Sequence, residues 1–258
     1  MPPRALFHYS ITTARNTLLE TDYNMHKSNS TYFADLDVSR SHLVTHLLAP
    51  GLPIVGDNRK NQLVRDKSGK LIEGSFGIGL GAVFCSFRRE IGAVQPFEMW
   101  SRILSWDRKW LYIVTHFVVK GKVKPTSWDG RHGGRTRPKV VRADGQEDPD
   151  WSKYVIGTAI SKYVFKLGRF TVHPTLVLEA SNLLPERPGD GWRGGESETG
   201  TPDDLGDIDE ESEEWDWRRM EYERRKGLQY AEHFTALDAT NNLFDGGEDG
   251  ALGYFPVG

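Results

Sequence analysis

The chain has 258 residues, 38% of them hydrophobic and 11% aromatic, enough to build one large core. A formal net charge of -3 gives no reason to expect a nucleic acid or an anionic membrane as partner, and the single cysteine, Cys85, excludes an internal disulfide and fits a reducing compartment. No apolar run reaches the roughly 18 residues that a membrane span requires, and the opening MPPRALFHYS lacks the apolar core of a signal peptide, so a cytoplasmic protein is expected.

Residues 6 to 19, LFHYSITTARNTLL, have the β-branched content of a first strand. From about Asn29 the pattern changes: Tyr32, Phe33, Leu36, Leu43, Val44, Leu47 and Leu48 recur at helical spacing, and APGLP stops the helix. Residues 53 to 73 read as a polar loop. SFGIGLGAVFCSFRREI then gives a second strand, loosened by Gly77, Gly79 and Gly81. PFEMWSRILSWDRKWLYIVTHFVVKG reads as a hairpin turning at WDRK. SKYVFKLGRFTVHPTLVLEA supplies a further strand or pair, interrupted at Gly168 and Pro174. A closing helix is expected from about Glu213 to Asp238, with Trp217, Met220, Leu228, Ala231 and Phe234 along one side. Strand, long helix, then strands joined by tight turns is an α+β order, in which an antiparallel sheet packs on a helix.

Two charged stretches interrupt a single domain spanning 1–258. From Lys120 to Arg142 there are eight Lys/Arg against one acid, Asp129, and this forms a basic insertion at about 121–151. From Glu186 to Asp216 there are thirteen Asp/Glu against two Arg, and about 186–214 reads as an acidic, disordered-like insertion. Deleting about 190 to 208 is therefore expected to leave folding and turnover intact. The arginines between Arg131 and Arg142, Arg135 and Arg137 among them, could meet a substrate's phosphates or an acidic partner. A solvated loop, or a partner for the acidic stretch, is the competing reading.

Several motifs carry little chemistry. GIGLGA matches a dinucleotide fingerprint but leads into a strand, so it offers no helix N-terminus to a pyrophosphate. Its glycines are better read as places where another backbone or a ligand approaches closely. His42 and His46 stand four apart on the first helix without a third ligand at metal spacing. No Gly-x-Ser-x-Gly elbow exists. Cys85 alternates with Val83 and Phe87 and reads as a small core residue, and His173 as a strand end.

One stretch resists a bland reading. In TDYNMHKSNSTYFADLDVSR, residues 21 to 40, an acid, two amides, a histidine and a serine crowd ahead of the helix. A cap from Ser28, Asn29 or Ser30 explains one of them. A carboxylate, Asp22, folding back toward the unpaired amides of a helix N-terminus explains more, because that pair can supply a base or nucleophile opposite an oxyanion donor.

With Asp22, Asn24, His26, Asn29, Tyr32, Phe33, Asp37 and Arg40, this stretch resembles the signature of hotdog-fold thioesterases of the 4-hydroxybenzoyl-CoA thioesterase-like branch, including fungal members from biosynthetic pathways. FCSFRREI, SRILSWDRKWLYIVTHFV and SKYVFKLGRFTVHP resemble its strands, and RRKGLQYAEHFTALD a C-terminal helix of the fungal members. The resemblance implies a sheet wrapped around the long helix and hydrolysis of an acyl-CoA or acyl-carrier-protein thioester with no cofactor. It implies Asp22 as base or nucleophile, the Asn29 backbone N–H as oxyanion donor, and His26 as a further catalytic group. Asn24, Ser28, Tyr32, Gly79 and Gly81 would lie against substrate, and the working unit would be a homodimer. Such enzymes commonly carry glycine where this chain has Met25, which puts more of the chemistry within reach of His26. A non-hydrolytic hotdog enzyme (dehydratase, cyclase or isomerase) and a catalytically silent acyl-binding protein use the same site and remain alternatives.

Overall fold

The computed structural model describes residues 1–125, 150–189, 191–192, 200–206, 208, 215–231 and 233–243. A 3-10 turn at Pro3–Phe7 precedes β1, Ser10–Arg15, and another at Leu18–Glu20 follows it, so the first strand is shorter than residues 6 to 19. Proline in the first turn fixes φ there and favours the turn over a ladder.

Helix α1 runs Asn29–Leu48, as its apolar spacing requires. Tyr32, Leu36, Ser39, Arg40, Leu43 and Leu47 are buried, steps of three or four that place one face on the sheet. The polar loop expected over 53 to 73 is partly ordered into α2, Gly51–Gly56, and α3, Asn58–Asn61, and it closes at an Arg65–Leu71 bridge. Asn58 causes this. Its buried amide donates to the Val64 and Ile72 carbonyls and accepts from the Val64 N–H, each at 2.8 Å.

The strands β2, Phe76–Phe87; β3, Pro96–Trp106; β4, Trp110–Val119; β5, Val155–Leu167; and β6, Phe170–Val172, form one antiparallel sheet with β1. Its order is β1-β3-β4-β5-β2, with β6 paired to β5. The β3–β4 hairpin turns where WDRK predicts, because the Asp107 carboxylate accepts from the Lys109 and Trp110 N–H groups at 2.7 Å each. Around the first half of α1, Tyr32 and Leu36 pack with Phe97, Met99, Phe117 and Ile156; around the second half, Leu43 and Leu47 pack with Ile103, Ile113 and Phe165. A buried polar belt separates the two: Ser39 to Ser101 at 2.8 Å, Ser101 to Thr115 at 2.7 Å, and Arg40 donating to Ser161 at 2.6 Å. This is the hotdog arrangement, a sheet curled on one helix.

The strand expected to continue past Pro174 is instead helix α4, Pro174–Ala180. Proline occupies its first turn and His173 is its N-cap, accepting from the Thr175 N–H at 3.3 Å, so His173 starts a helix rather than ending a strand. On the far face of the sheet lie α5, Trp217–Ala231, and α6, His233–Asp238. Glycine is obligatory where α5 crosses β3: a Cβ at Gly227 would stand 1.9 Å from the Leu104 carbonyl oxygen. Lys162 of β5 pairs with Asp238 and anchors the end of α6.

The acidic stretch holds an anchor its composition hides. Trp192 is 4% exposed, packs on Trp106 at 6.2 Å between ring centroids, and donates to the Pro185 carbonyl at 2.8 Å. Pro202 is buried too, and the Thr201 carbonyl accepts from Arg225 at 2.9 Å. The reason for expecting a silent deletion of 190 to 208 therefore fails at Trp192, since acidic, Gly-rich chain can still bury one large aromatic ring. The basic residues from Arg131 to Arg142 lie outside the described residues. Among the described residues no helix is long and apolar enough to cross a membrane.

Candidate active site

Leaving β1, the chain is held by Asn16, whose buried amide donates to the Gly92 carbonyl at 3.0 Å and the Ile91 carbonyl at 3.3 Å. Against that segment lies a tight hairpin. Asp22 N–H donates to the His26 carbonyl at 2.8 Å, and Met25 N–H to the Asp22 carbonyl at 3.0 Å. Lys27 N–H reaches the Ile91 carbonyl at 2.8 Å, and the Met25 carbonyl accepts from Ala93 at 3.1 Å. Met25 sits at φ 62°, the left-handed region that favours glycine. The turn thus demands at position 25 what glycine supplies freely, and methionine holds it at a cost of about 1–3 kcal/mol.

The hairpin fixes one oxygen of Asp22 and leaves the other open. Oδ1 accepts from the N–H groups of Asn24 at 2.9 Å and His26 at 3.3 Å. Among the described residues Oδ2 has no protein partner. Two residues past the hairpin α1 begins, and no side chain caps it: Ser28 Oγ bonds Ser30 Oγ at 3.0 Å instead of a backbone amide. The bland reading of this stretch as a helix cap is thereby removed. The first-turn amides, Asn29 N–H first, carry the positive end of the helix dipole in the segment that carries Asp22.

His26 is half-buried, and its Nε2 faces Glu90 Oε2 at 3.3 Å. Glu90 escapes a sequence reading because only the pairing of the hairpin with residues 91 to 93 brings it there. Lys27, with its partners Glu20 and Asp35, escapes it as well. Asn24 is exposed at the tip. Tyr32 lies a turn into α1 with its ring buried edge-on between Phe87 and Phe117, 4.9 Å from each centroid, and burial pushes its phenol up to about 12, so it stays protonated.

Gly79 and Gly81 are not brought to Asp22 within one chain. Gly81 occupies a bulge in β2, where a Cβ would fall 2.4 Å from the Trp110 ring on the α6 side of the sheet, so this glycine makes room for an indole. Gly79 faces Val164. GIGLGA lies wholly within β2, with no helix after it. Cys85 packs beside the Tyr32 cluster, and burial pushes its thiol up to about 11, so it is no thiolate at neutral pH. His42 and His46 are exposed, and no cluster of three or more His, Cys, Asp or Glu side chains fit to hold a metal occurs among the described residues.

A carboxylate with one free oxygen near an uncapped helix N-terminus, flanked by a carboxylate-held imidazole, can activate water or attack an acyl carbon while an amide holds the oxyanion. The chain also has relatives. The model of the thioesterase-like superfamily matches residues 17–137. Thioesterase poxG of Penicillium oxalicum is 36% identical over 94% of this chain and 71% of its own length. The probable thioesterase atnL of Emericella nidulans is 34% identical over 97% of this chain and 75% of its own. Of solved structures, Slr0204, a 1,4-dihydroxy-2-naphthoyl-CoA thioesterase from Synechocystis, matches 67% of this chain and 94% of its own at 8% identity and a TM-score of 0.42.

Proposed function

The chain belongs to the thioesterase-like superfamily, and from that membership we infer that it hydrolyses acyl thioesters of coenzyme A or of a carrier protein. One observation carries the chemistry beyond kinship: Asp22 Oδ2 is open while Oδ1 is tied into the hairpin. In our scheme Oδ2 deprotonates a water that attacks the acyl carbon, or attacks it directly to form an anhydride that water then opens. The Asn29 N–H donates to the thioester oxygen as it gains charge. His26, steadied by Glu90, stands on the same hairpin to protonate the departing thiolate. General-base help is typically worth about 10² to 10⁴ in rate and one oxyanion donor about 10² to 10³. The scheme uses no metal or redox cofactor. Its place would be the cytoplasm, in a fungal biosynthetic pathway.

The test is release of free thiol from a panel of acyl-CoA, acyl-carrier-protein and short acyl-cysteamine thioesters, followed with a thiol reagent. Stoichiometric thiol and free acid are expected. Acyl binding or rearrangement with no thiol released would replace hydrolysis by dehydratase, cyclase, isomerase or silent acyl-binding chemistry.

We further propose that two copies pair through β2. This strand ends the sheet order, and Ile78, Leu80, Phe84 and Phe87 along it are exposed, a row of apolar side chains on an open edge. A two-fold axis satisfies such an edge with itself. Helix α5 packs on β3 rather than on that edge, which argues against the C-terminal helix sealing the monomer. Sedimentation at micromolar concentration should show twice the 29.2 kDa of one chain, and Leu80→Glu with Phe84→Glu should halve it. A fully active 29.2 kDa parent would sink the dimer.

A further inference from the structure

Directly behind the Asp22 hairpin lies a lysine with no exposure at all. The Lys27 side chain is 0% exposed, and its Nζ stands 3.1 Å from Glu20 Oε2 and 2.8 Å from Asp35 Oδ2. The rings of Tyr32 and Phe97 flank it, each centroid 5.5 Å from the ammonium. An ammonium so enclosed is expensive to desolvate, and a buried ion pair of this kind is weak evidence for stability. It also has no path to a substrate, so a Schiff base or a general-base role is excluded.

What the ammonium joins is informative. Glu20 closes the turn that leads into the hairpin, and its carbonyl accepts from the Ser28 N–H at 2.7 Å. Asp35 lies in the second turn of α1. The two partners therefore sit on opposite sides of the short segment that carries both Asp22 and the Asn29 N–H. We propose that Lys27 is the positioning residue of the site: it staples the hairpin to α1 and so sets the place of the Asp22 carboxylate relative to the helix N-terminus. The proposal rests on the hydrolytic reading for its kinetic consequence, not for its geometry. A misplacement of about 1 Å in such a pair can cost on the order of 10²-fold.

Burial pushes the Asp35 carboxyl up, and Lys27 pulls it back down. Removing the lysine alone would therefore leave a buried carboxylate without its cation. The informative variant removes both charges: Lys27→Met with Asp35→Asn, which keeps volume and replaces a buried pair by neutral groups. The melting temperature should change by only a few degrees, because such replacements are often neutral. Turnover of a thioester should fall about tenfold or more with KM within about twofold, the split expected when groups are misplaced rather than binding lost. Independently of any chemistry, hydrogen exchange at the Asp22, Lys27 and Ser28 amides should speed up at least about tenfold, since these bonds define the segment. A parent that releases no thiol would refute hydrolysis, and the exchange rates would still decide the positioning role. A double variant that fails to fold, or that folds with parental exchange and turnover, overturns the proposal.

Discussion

Asp22→Asn lowers thioester turnover by at least about 10² while leaving the melting temperature almost where it was. The two halves of that expectation come from the two oxygens. An asparagine keeps an oxygen at the Oδ1 position, so the bonds from the Asn24 N–H at 2.9 Å and the His26 N–H at 3.3 Å survive and the hairpin keeps its shape. At the Oδ2 position it puts an NH₂ group, which can neither take a proton from water nor attack a carbonyl. KM should move little, because the pocket is unaltered. His26→Ala gives the contrast: it removes a side chain held at 3.3 Å by Glu90 but no hydrogen bond of the Asp22 carboxylate, whose bond is to the His26 backbone. About tenfold is expected if the imidazole only assists the leaving thiolate. Steady-state rates at saturating substrate, with circular dichroism melts of the same preparations, check both. Near-full turnover of Asp22→Asn would remove Asp22 from the chemistry, and an equal loss in His26→Ala would make the imidazole the primary group.

Why Asp22 was legible and Lys27 was not is a matter of range. Asp22, His26, Ser28 and Asn29 are close in sequence, and a helix pattern beginning at Asn29 places them before any sheet is known. Glu90 reaches His26 across sixty-odd residues, and Asn16 reaches Gly92 across 76, so neither contact has a local signature. Lys27 looks like any surface lysine until Tyr32 and Phe97 close over it. Gly79 and Gly81 failed differently. Alternation along β2 says that two faces exist but not which one meets α1, and the bulge between Leu80 and Ala82 breaks the alternation at that point. The helix α1 and the β3–β4 hairpin were plain because their periods, 3.6 and 2, run for ten residues or more. Asn58 and Trp192 were missed because each orders a polar stretch by a single side chain, which no average over composition can register.

The largest loss of stability is expected far from the chemistry, at Glu221 on the inner face of α5. Its carboxylate is fully buried and three guanidiniums converge on it. Arg224 donates through Nε to Oε2 and through NH2 to Oε1, both at 2.8 Å; Arg225 Nε donates to Oε1 at 2.7 Å; Arg187 NH1 stands 3.2 Å from Oε2. All three arginines are almost wholly enclosed, and Arg187 is flanked by Trp192 and Trp217 at 5.1 Å from each ring centroid. Burial lowers the pKa of Arg187, with Glu221 acting against it. Arg224 in turn donates to the Trp106 carbonyl at 2.9 Å, and Ser105 Oγ to the Arg224 carbonyl at 2.7 Å, so the same cluster seats α5 on β3. Breaking a buried pair by removing one partner typically costs about 3–5 kcal/mol. Glu221→Ala should therefore lower the melting temperature by about 6–20 °C, at the roughly 2–4 °C per kcal/mol expected for a chain of this size. Glu221→Gln separates charge from shape: if the carboxylate's charge is what matters, the amide loses nearly as much despite filling the same space. A glutamine variant as stable as the parent would mean that packing, not pairing, holds α5 in place. Activity measured well below either melting point should stay near the parental level, because α5 lies on the face of the sheet opposite α1 and the Asp22 hairpin.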